Sequence, residues 1–211
     1  TGLHGDMRHM GNAYLKSGLL DTSNNGNLMN LRDEFDSSNY LSPYSDIVAL
    51  MVLEHQTQLH NTFTRADFSV RRLSHDSSGE LASEESKREY QTQLQIIANE
   101  VVDRMLFCDE TVLTNEVKGS VLFAQQFTER GPRDSLGRSL REFDLKRRLF
   151  KYPLSYLIYS PAFDSLQPDL RQEILRQIGE VLRGENRSPE YAHLDETTRK
   201  AMLSILRETK P

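Results

Sequence analysis

The chain has 211 residues, 37% of them apolar, and a formal net charge of −5. This length supports one domain with a substantial core, and the negative charge argues against binding nucleic acid or an anionic membrane through the whole surface. The longest apolar run, seven residues from Ile47, is far shorter than the roughly 20 that a membrane-spanning helix needs. Cys108 is the only cysteine, which excludes an internal disulfide and a cysteine-rich metal centre.

The N-terminal part of the chain has no long periodic pattern. We therefore expect an irregular segment over residues 1–40, with short helices at 13–16 and 28–35, and a single helical domain over residues 41–211. Ser42 and Pro43 are suited to the N-cap and to the first position of a long helix. The fold class predicted is all-α, an irregular multi-helix bundle with long central helices and extended loops.

Apolar residues that recur every three or four positions predict the remaining helices. Residues 154–159 fit either a strand or a helix by propensity, and we favour a helix because the sequence offers no partner strand. Pro168 begins, and Gly184 ends, one of the clearest helices. In chain order, the predicted helices cover 43–75, 83–107, 120–129, 140–159, 168–183 and a last stretch that begins after Asp195.

A polar stripe follows the apolar run on the first long helix. It consists of Glu54, Gln58, Asn61 and Arg65, spaced four, three and four residues apart. Burying such groups is costly unless each is hydrogen-bonded, so we expect a structural polar network packed against another helix, with Glu54 held by a distant Arg or Tyr. Alternatively, a buried Glu54 beside His55 would act as a general acid or base.

His55 and His60 are the histidines of the same helix. They are five residues apart and therefore lie roughly 140° apart around the helix, so one metal ion cannot bind both from a regular helix. We assign no metal site. A metal-dependent hydrolase that uses Glu54 and histidines from separate segments is a weaker alternative.

The N-terminal segment carries His4, His9 and Met10, residue types that bind haem iron axially. These residues are candidate haem contacts, together with His55 and His60. The chain lacks a Cys-x-x-Cys-His motif and cannot attach a c-type haem by itself. The alternative is an irregular segment with surface histidines.

A basic segment extends over residues 130–151, where eight basic and three acidic side chains give a local net charge of +5. Its loop contains Arg133 and Arg138, which suit carboxylates such as haem propionates or the acidic face of a partner. The interleaved acids and the lack of an aromatic platform argue against nucleic acid. Internal salt bridges are the alternative use of these arginines.

Two pairs of segments are distinctive in sequence. The first is Asp46-Ile-Val-Ala-Leu-Met-Val-Leu-Glu-His-Gln56 with His60-Asn61, and the second is Gly131-Pro-Arg-Asp-Ser135 with Tyr156-Leu-Ile-Tyr-Ser160. Together they resemble an uncharacterised family of exported bacterial proteins associated with c-type cytochromes. The resemblance covers most of the chain from about residue 40. It implies an exported, periplasmic protein, with a haem-attachment segment before Thr1 that His4, His9, His55 or His60 would face.

The leading hypothesis is a helical, redox-associated electron-transfer accessory that contacts haem or docks a c-type cytochrome. The partner would be that cytochrome or an upstream domain of the same protein. The alternative is a non-catalytic helical protein-interaction module, in which the polar stripe is structural and the basic segment is a docking surface. The sequence does not decide whether the protein is an enzyme.

Overall fold

The computed structural model describes residues 14–16, 19–21, 32, 36, 38–39, 46–77 and 83–210. Within these ranges the fold is an all-α, multi-helix architecture, which confirms the predicted fold class. Two short 3-10 helices, Tyr156–Tyr159 and Pro189–Tyr191, lie between the α-helices. The α-helices are α1 (Ile47–Ser77), α2 (Glu84–Met105), α3 (Val121–Glu129), α4 (Pro161–Asp164), α5 (Pro168–Arg183) and α6 (Glu196–Thr209).

Side-chain caps set the helix ends. Ser83, Ser120 and Asp195 each accept a hydrogen bond from the backbone N–H three residues further on, as N-caps do. Gly184 ends α5 in the left-handed conformation, with φ of 77°, as its position predicted. The predicted start of the first long helix at Pro43 is wrong, because Asp46 precedes α1 and caps it.

The predicted short helix at 13–16 is also wrong. Tyr14–Lys16 and Leu19–Asp21 are strands that pair antiparallel, with Leu15 opposite Leu20. A segment of this length gains little from helical hydrogen bonding. The predicted helix at 28–35 lies almost wholly outside the described residues.

Residues 140–155 do not form the predicted α-helix. Pro153 lacks the N–H that a helix interior needs, and Leu145 has a left-handed backbone with φ of 57°. The chain turns back on itself, so that Phe143 and Phe150 form an antiparallel bridge. Within the predicted helix over 140–159, the only helical part is the 3-10 helix Tyr156–Tyr159.

The core lies between α2 and the helices on either side of it, α1 and α5, with α6 packed on α5. The stretch between α3 and α4, residues 130–160, is the irregular segment, and it contributes Leu140, Leu154 and Ile158, each 0% exposed. The Ser155 N–H donates to the carbonyl oxygen of Met105 at 2.8 Å, which fixes this segment to the end of α2. No helix in the described part of the chain is long and apolar enough to cross a membrane.

Candidate functional site

A solvent-open cleft of about 240 Å³ lies between α1 and the turn that follows α2. Met51, Phe107 and Leu149 form apolar parts of its lining. The charged side chains of the lining are four carboxylates and one guanidinium, namely Glu54, Asp103, Asp109, Glu110 and Arg104. The cleft therefore combines an apolar surface with an excess of negative charge.

His55 lines this cleft from α1. Its ring stacks on Phe107, with ring centroids 4.5 Å apart and an interplanar angle of 22°, and lies 6.1 Å from the rings of Phe150 and Tyr156. Burial among these rings lowers the pKa of His55 from 6.5 to about 4. The imidazole is therefore neutral at physiological pH.

The His55 Nε2 atom lies 2.7 Å from the Ser155 hydroxyl oxygen. A serine beside a neutral imidazole is the arrangement of an activated nucleophile. However, Ser155 is 0% exposed, and its oxygen also accepts a hydrogen bond from the Leu157 N–H. A substrate cannot reach this oxygen, so the pair links α1 to the irregular segment and has a structural role.

Asp103 is at the centre of a second polar network. It accepts hydrogen bonds from the Tyr191 hydroxyl at 2.7 Å and from the Asn99 amide at 3.0 Å. Burial raises its pKa, as do the nearby carboxylates of Glu190 and Asp109, while the Tyr191 hydrogen bond acts in the opposite direction. Burial also raises the pKa of Glu110, which accepts a hydrogen bond from the Leu149 N–H at 2.7 Å.

Cys108 lies beside Asp103, with its sulfur 3.9 Å from Asp103 Oδ1. Burial and the nearby carboxylates raise the pKa of this thiol to about 12. Since the thiolate is the reactive form, Cys108 is not poised as a nucleophile.

The polar stripe of α1 is less buried than predicted. Glu54 is half-buried, but Gln58, Asn61 and Arg65 are exposed, so the expectation of burial is wrong for these three. The Gln58 amide donates to Glu54 at 3.4 Å, and Arg65 pairs with Glu100 of α2. The core face of α1 is the adjacent stripe, Val52, Leu59, Phe63, Ala66 and Val70.

Of the predicted histidine and methionine ligands, only His55 and His60 are among the described residues, and these two do not come together. His60 is exposed, 6.4 Å from the Phe63 ring, while His55 is largely buried in the cleft wall. His4, His9 and Met10 lie outside the described residues, and their haem contact stays a prediction. In the described part of the chain, no three His, Cys, Asp or Glu side chains are arranged to hold a metal ion.

The arginines of the basic loop are used internally. Arg138 Nε donates to the buried carboxylate of Asp134 at 2.7 Å, and its Nη2 donates to Ser204 of α6 at 2.9 Å. Arg133 donates to the backbone carbonyl oxygens of Gly137 and Thr128. These contacts favour the alternative of internal pairing over a carboxylate-binding loop.

Replacing Arg138 by methionine is expected to lower the free energy of unfolding by about 2–4 kcal/mol, because the buried carboxylate of Asp134 loses its cation. Urea denaturation measures this effect. The control is Arg130→Met, which removes an exposed arginine near the same loop and is expected to change the free energy by less than about 0.5 kcal/mol. Equal effects of the two substitutions would contradict the structural role given to the Arg138–Asp134 pair.

The candidate haem contacts within the described residues already have partners in the protein. The His55 Nε2 atom is engaged by Ser155, and both Arg133 and Arg138 donate to internal acceptors. We therefore derive no step that involves haem, and the haem contact stays a prediction.

Sequence reasoning missed Asp103, Phe107, Glu110 and Ser155. A signal was present in the run Cys108-Asp109-Glu110, where acidic residues directly follow the apolar end of a helix. The position of Ser155 beside His55 had no local signal, since the two residues are 100 positions apart.

No protein-family model, curated protein or solved structure matches the chain. The resemblance to cytochrome-associated proteins therefore stays a prediction.

Proposed function

We propose that the chain is a non-catalytic helical module that binds another protein through its α1–α3 surface, defined by Leu50 and Leu53 of α1 and Val121 and Leu122 of α3. One observation carries this proposal. These four large apolar side chains are 51%, 56%, 81% and 63% exposed, respectively. Grouped exposed apolar side chains mark sites of protein interaction, whereas single ones are common on any surface.

The N-terminal ends of α1 and α3 are joined, so the exposed side chains of the two helices lie at neighbouring helix ends. Asp46, the cap of α1, also accepts a hydrogen bond from the Ser120 N–H at the start of α3, at 2.9 Å. A methyl group on Gly119 would lie 2.7 Å from Val48 Cγ2, so glycine permits this close approach. Leu50 and Leu53 lie within the first two turns of α1, next to this junction.

The chemistry of the cleft supports a non-catalytic role. Ser155 is inaccessible beside its imidazole, and the thiol of Cys108 is protonated at physiological pH. Neither group is an available nucleophile.

The resemblance supplies one candidate for the partner, a c-type cytochrome in an exported setting. An upstream domain of the same protein is the other candidate. A partner recovered with the chain that absorbs in the Soret region would support the cytochrome, and a colourless partner would argue against it.

The test is an affinity pull-down, in which the tagged chain recovers a partner from an extract of the source organism. We expect Leu50→Ser/Leu53→Ser to reduce recovery by at least about tenfold, because each lost apolar anchor costs about 1–2 kcal/mol of binding. The matched control, Phe68→Ser/Leu175→Ser, removes two exposed apolar side chains elsewhere on α1 and α5 and is expected to leave recovery unchanged. Equal recovery with both variants would overturn the proposal.

A further inference from the structure

The cleft and the α1–α3 surface are contiguous on α1. Met51, Glu54 and Gln58 line the cleft, and the exposed Leu50 precedes Glu54 by four residues, a spacing that places the two side chains next to each other on the helix surface. A protein that covers the two leucines therefore passes the mouth of the cleft. This inference rests on the proposed function, because it assigns chemistry to the partner at that surface.

Charge indicates what enters the cleft. Its four carboxylates face a single guanidinium, that of Arg104, which lies 3.6 Å from Asp109. The lining thus has an excess of three negative charges when its acids are ionised. A cation that enters is attracted more strongly there than at a flat surface, because a cleft lined mainly by one sign of charge focuses the electric field.

Two of these carboxylates are held in an environment that disfavours their charge. The pKa of Asp103 is raised by burial and then by Glu190 and Asp109, and the pKa of Glu110 is raised by burial and also by Asp144. A bound cation would offset both effects by stabilising the ionised forms. Their existing hydrogen bonds to Tyr191 and Leu149 hold them in place for this role.

Shape and aromatic lining narrow the choice of cation. A volume of about 240 Å³ suits one side chain rather than a larger ligand. The lining includes the stacked rings of His55 and Phe107, and a planar guanidinium stacks on aromatic faces as well as pairing with carboxylates. His55 is neutral and does not repel it.

We propose that the partner of this module carries an arginine side chain beside its apolar contact residues, and that the guanidinium binds in the cleft between α1 and the turn after α2. The recognition element is thus an apolar patch next to one cation. Glu54 and Asp109 are the carboxylates that reach the cleft from its two sides, and Asp109 is 76% exposed.

The test uses n-butylguanidinium and its neutral isostere n-butylurea, titrated into the ¹⁵N-labelled full chain. Binding is followed by NMR shifts of the Phe107 and Thr111 amides. We expect n-butylguanidinium to bind about tenfold more tightly than n-butylurea, since charge-assisted hydrogen bonds are roughly twice as strong as neutral ones. Equal affinities, or no shift with either compound at 50 mM (an order-of-magnitude ceiling for weak fragment binding), would overturn the inference.

Variants provide the matched control. The double substitution Glu54→Gln/Asp109→Asn is expected to weaken n-butylguanidinium binding by about tenfold. The control, Glu85→Gln/Glu89→Gln, removes the same amount of charge from exposed positions on α2 and is expected to change the affinity by less than about twofold. If both variants weakened binding equally, the affinity would depend on net charge and not on the cleft, which would overturn the inference. The proposed function is tested separately through Leu50 and Leu53, so the two failures are distinguishable.

Discussion

Replacing Arg199 by methionine is expected to lower the free energy of unfolding by about 3–5 kcal/mol, because it removes a buried cation from a closed set of acceptors. Arg199 lies on α6 and is 8% exposed. Its guanidinium donates to backbone carbonyl oxygens that belong to the end of α5 and to the loop before α6. These acceptors are the carbonyl oxygens of Val181, Asn186, Tyr191 and Leu194.

The expected loss of stability comes from the carbonyl oxygens that lose the hydrogen bonds of Arg199. Methionine fills much of the same space but donates no hydrogen bond, so the carbonyl oxygens of Asn186 and Leu194 lose the donor that Arg199 supplies. The carbonyl oxygens of Val181 and Tyr191 keep only their backbone donors, the N–H groups of Gly184 and Leu194. Urea denaturation measures the loss, with Arg207→Met, an exposed arginine on the same helix, as the control. A loss below about 1 kcal/mol would contradict the structural role of Arg199.

Acidification is expected to destabilise the protein through His55. Its pKa is about 4 in the folded state against an ordinary value of 6.5, so the unfolded chain binds the proton more tightly. The neutral form favours folding above pH 6.5, and this contribution is lost as the pH falls from 6.5 to about 4. The shift corresponds to roughly 3 kcal/mol.

The comparison variant is His55→Gln, whose amide can donate to or accept from the Ser155 hydroxyl group but does not titrate. Asp103 and Glu110 have raised pKa values and contribute with the opposite sign at low pH, so the difference between the wild type and His55→Gln isolates the histidine. Chemical denaturation between pH 7 and 4 measures both proteins. A difference that does not change over this interval would show that His55 is not desolvated as described.

The helices with a clean apolar seam could be predicted from the sequence. Leu170, Ile174, Ile178 and Val181 lie on one face of α5 and are all buried, as their spacing indicated. The orientation of α1 was harder to predict, because its polar stripe lies beside its apolar stripe. Only the packing of α2 against α1 decides which of these residues are buried. Pro153 was a local signal against the predicted helix over 140–159.

The cleft could not be predicted, because three distant segments form it. The cleft is formed by residues 51–58, residues 103–111 and Leu149, and the last of these is held there because the irregular segment packs against the end of α2. The His55–Ser155 contact depends on the same packing. Local periodicity carries no information about such contacts. Individual residue types were informative, because His55 and Glu54 were both recognised as candidates.

Binding through the α1–α3 surface is the central claim, and the dissociation constant between the full chain and its recovered partner tests it most directly. Isothermal titration of the wild type, Leu50→Ser/Leu53→Ser and Phe68→Ser/Leu175→Ser gives the three values needed. We expect the first variant to bind at least about tenfold more weakly and the second to match the wild type. Wild-type affinity in Leu50→Ser/Leu53→Ser would contradict the claim.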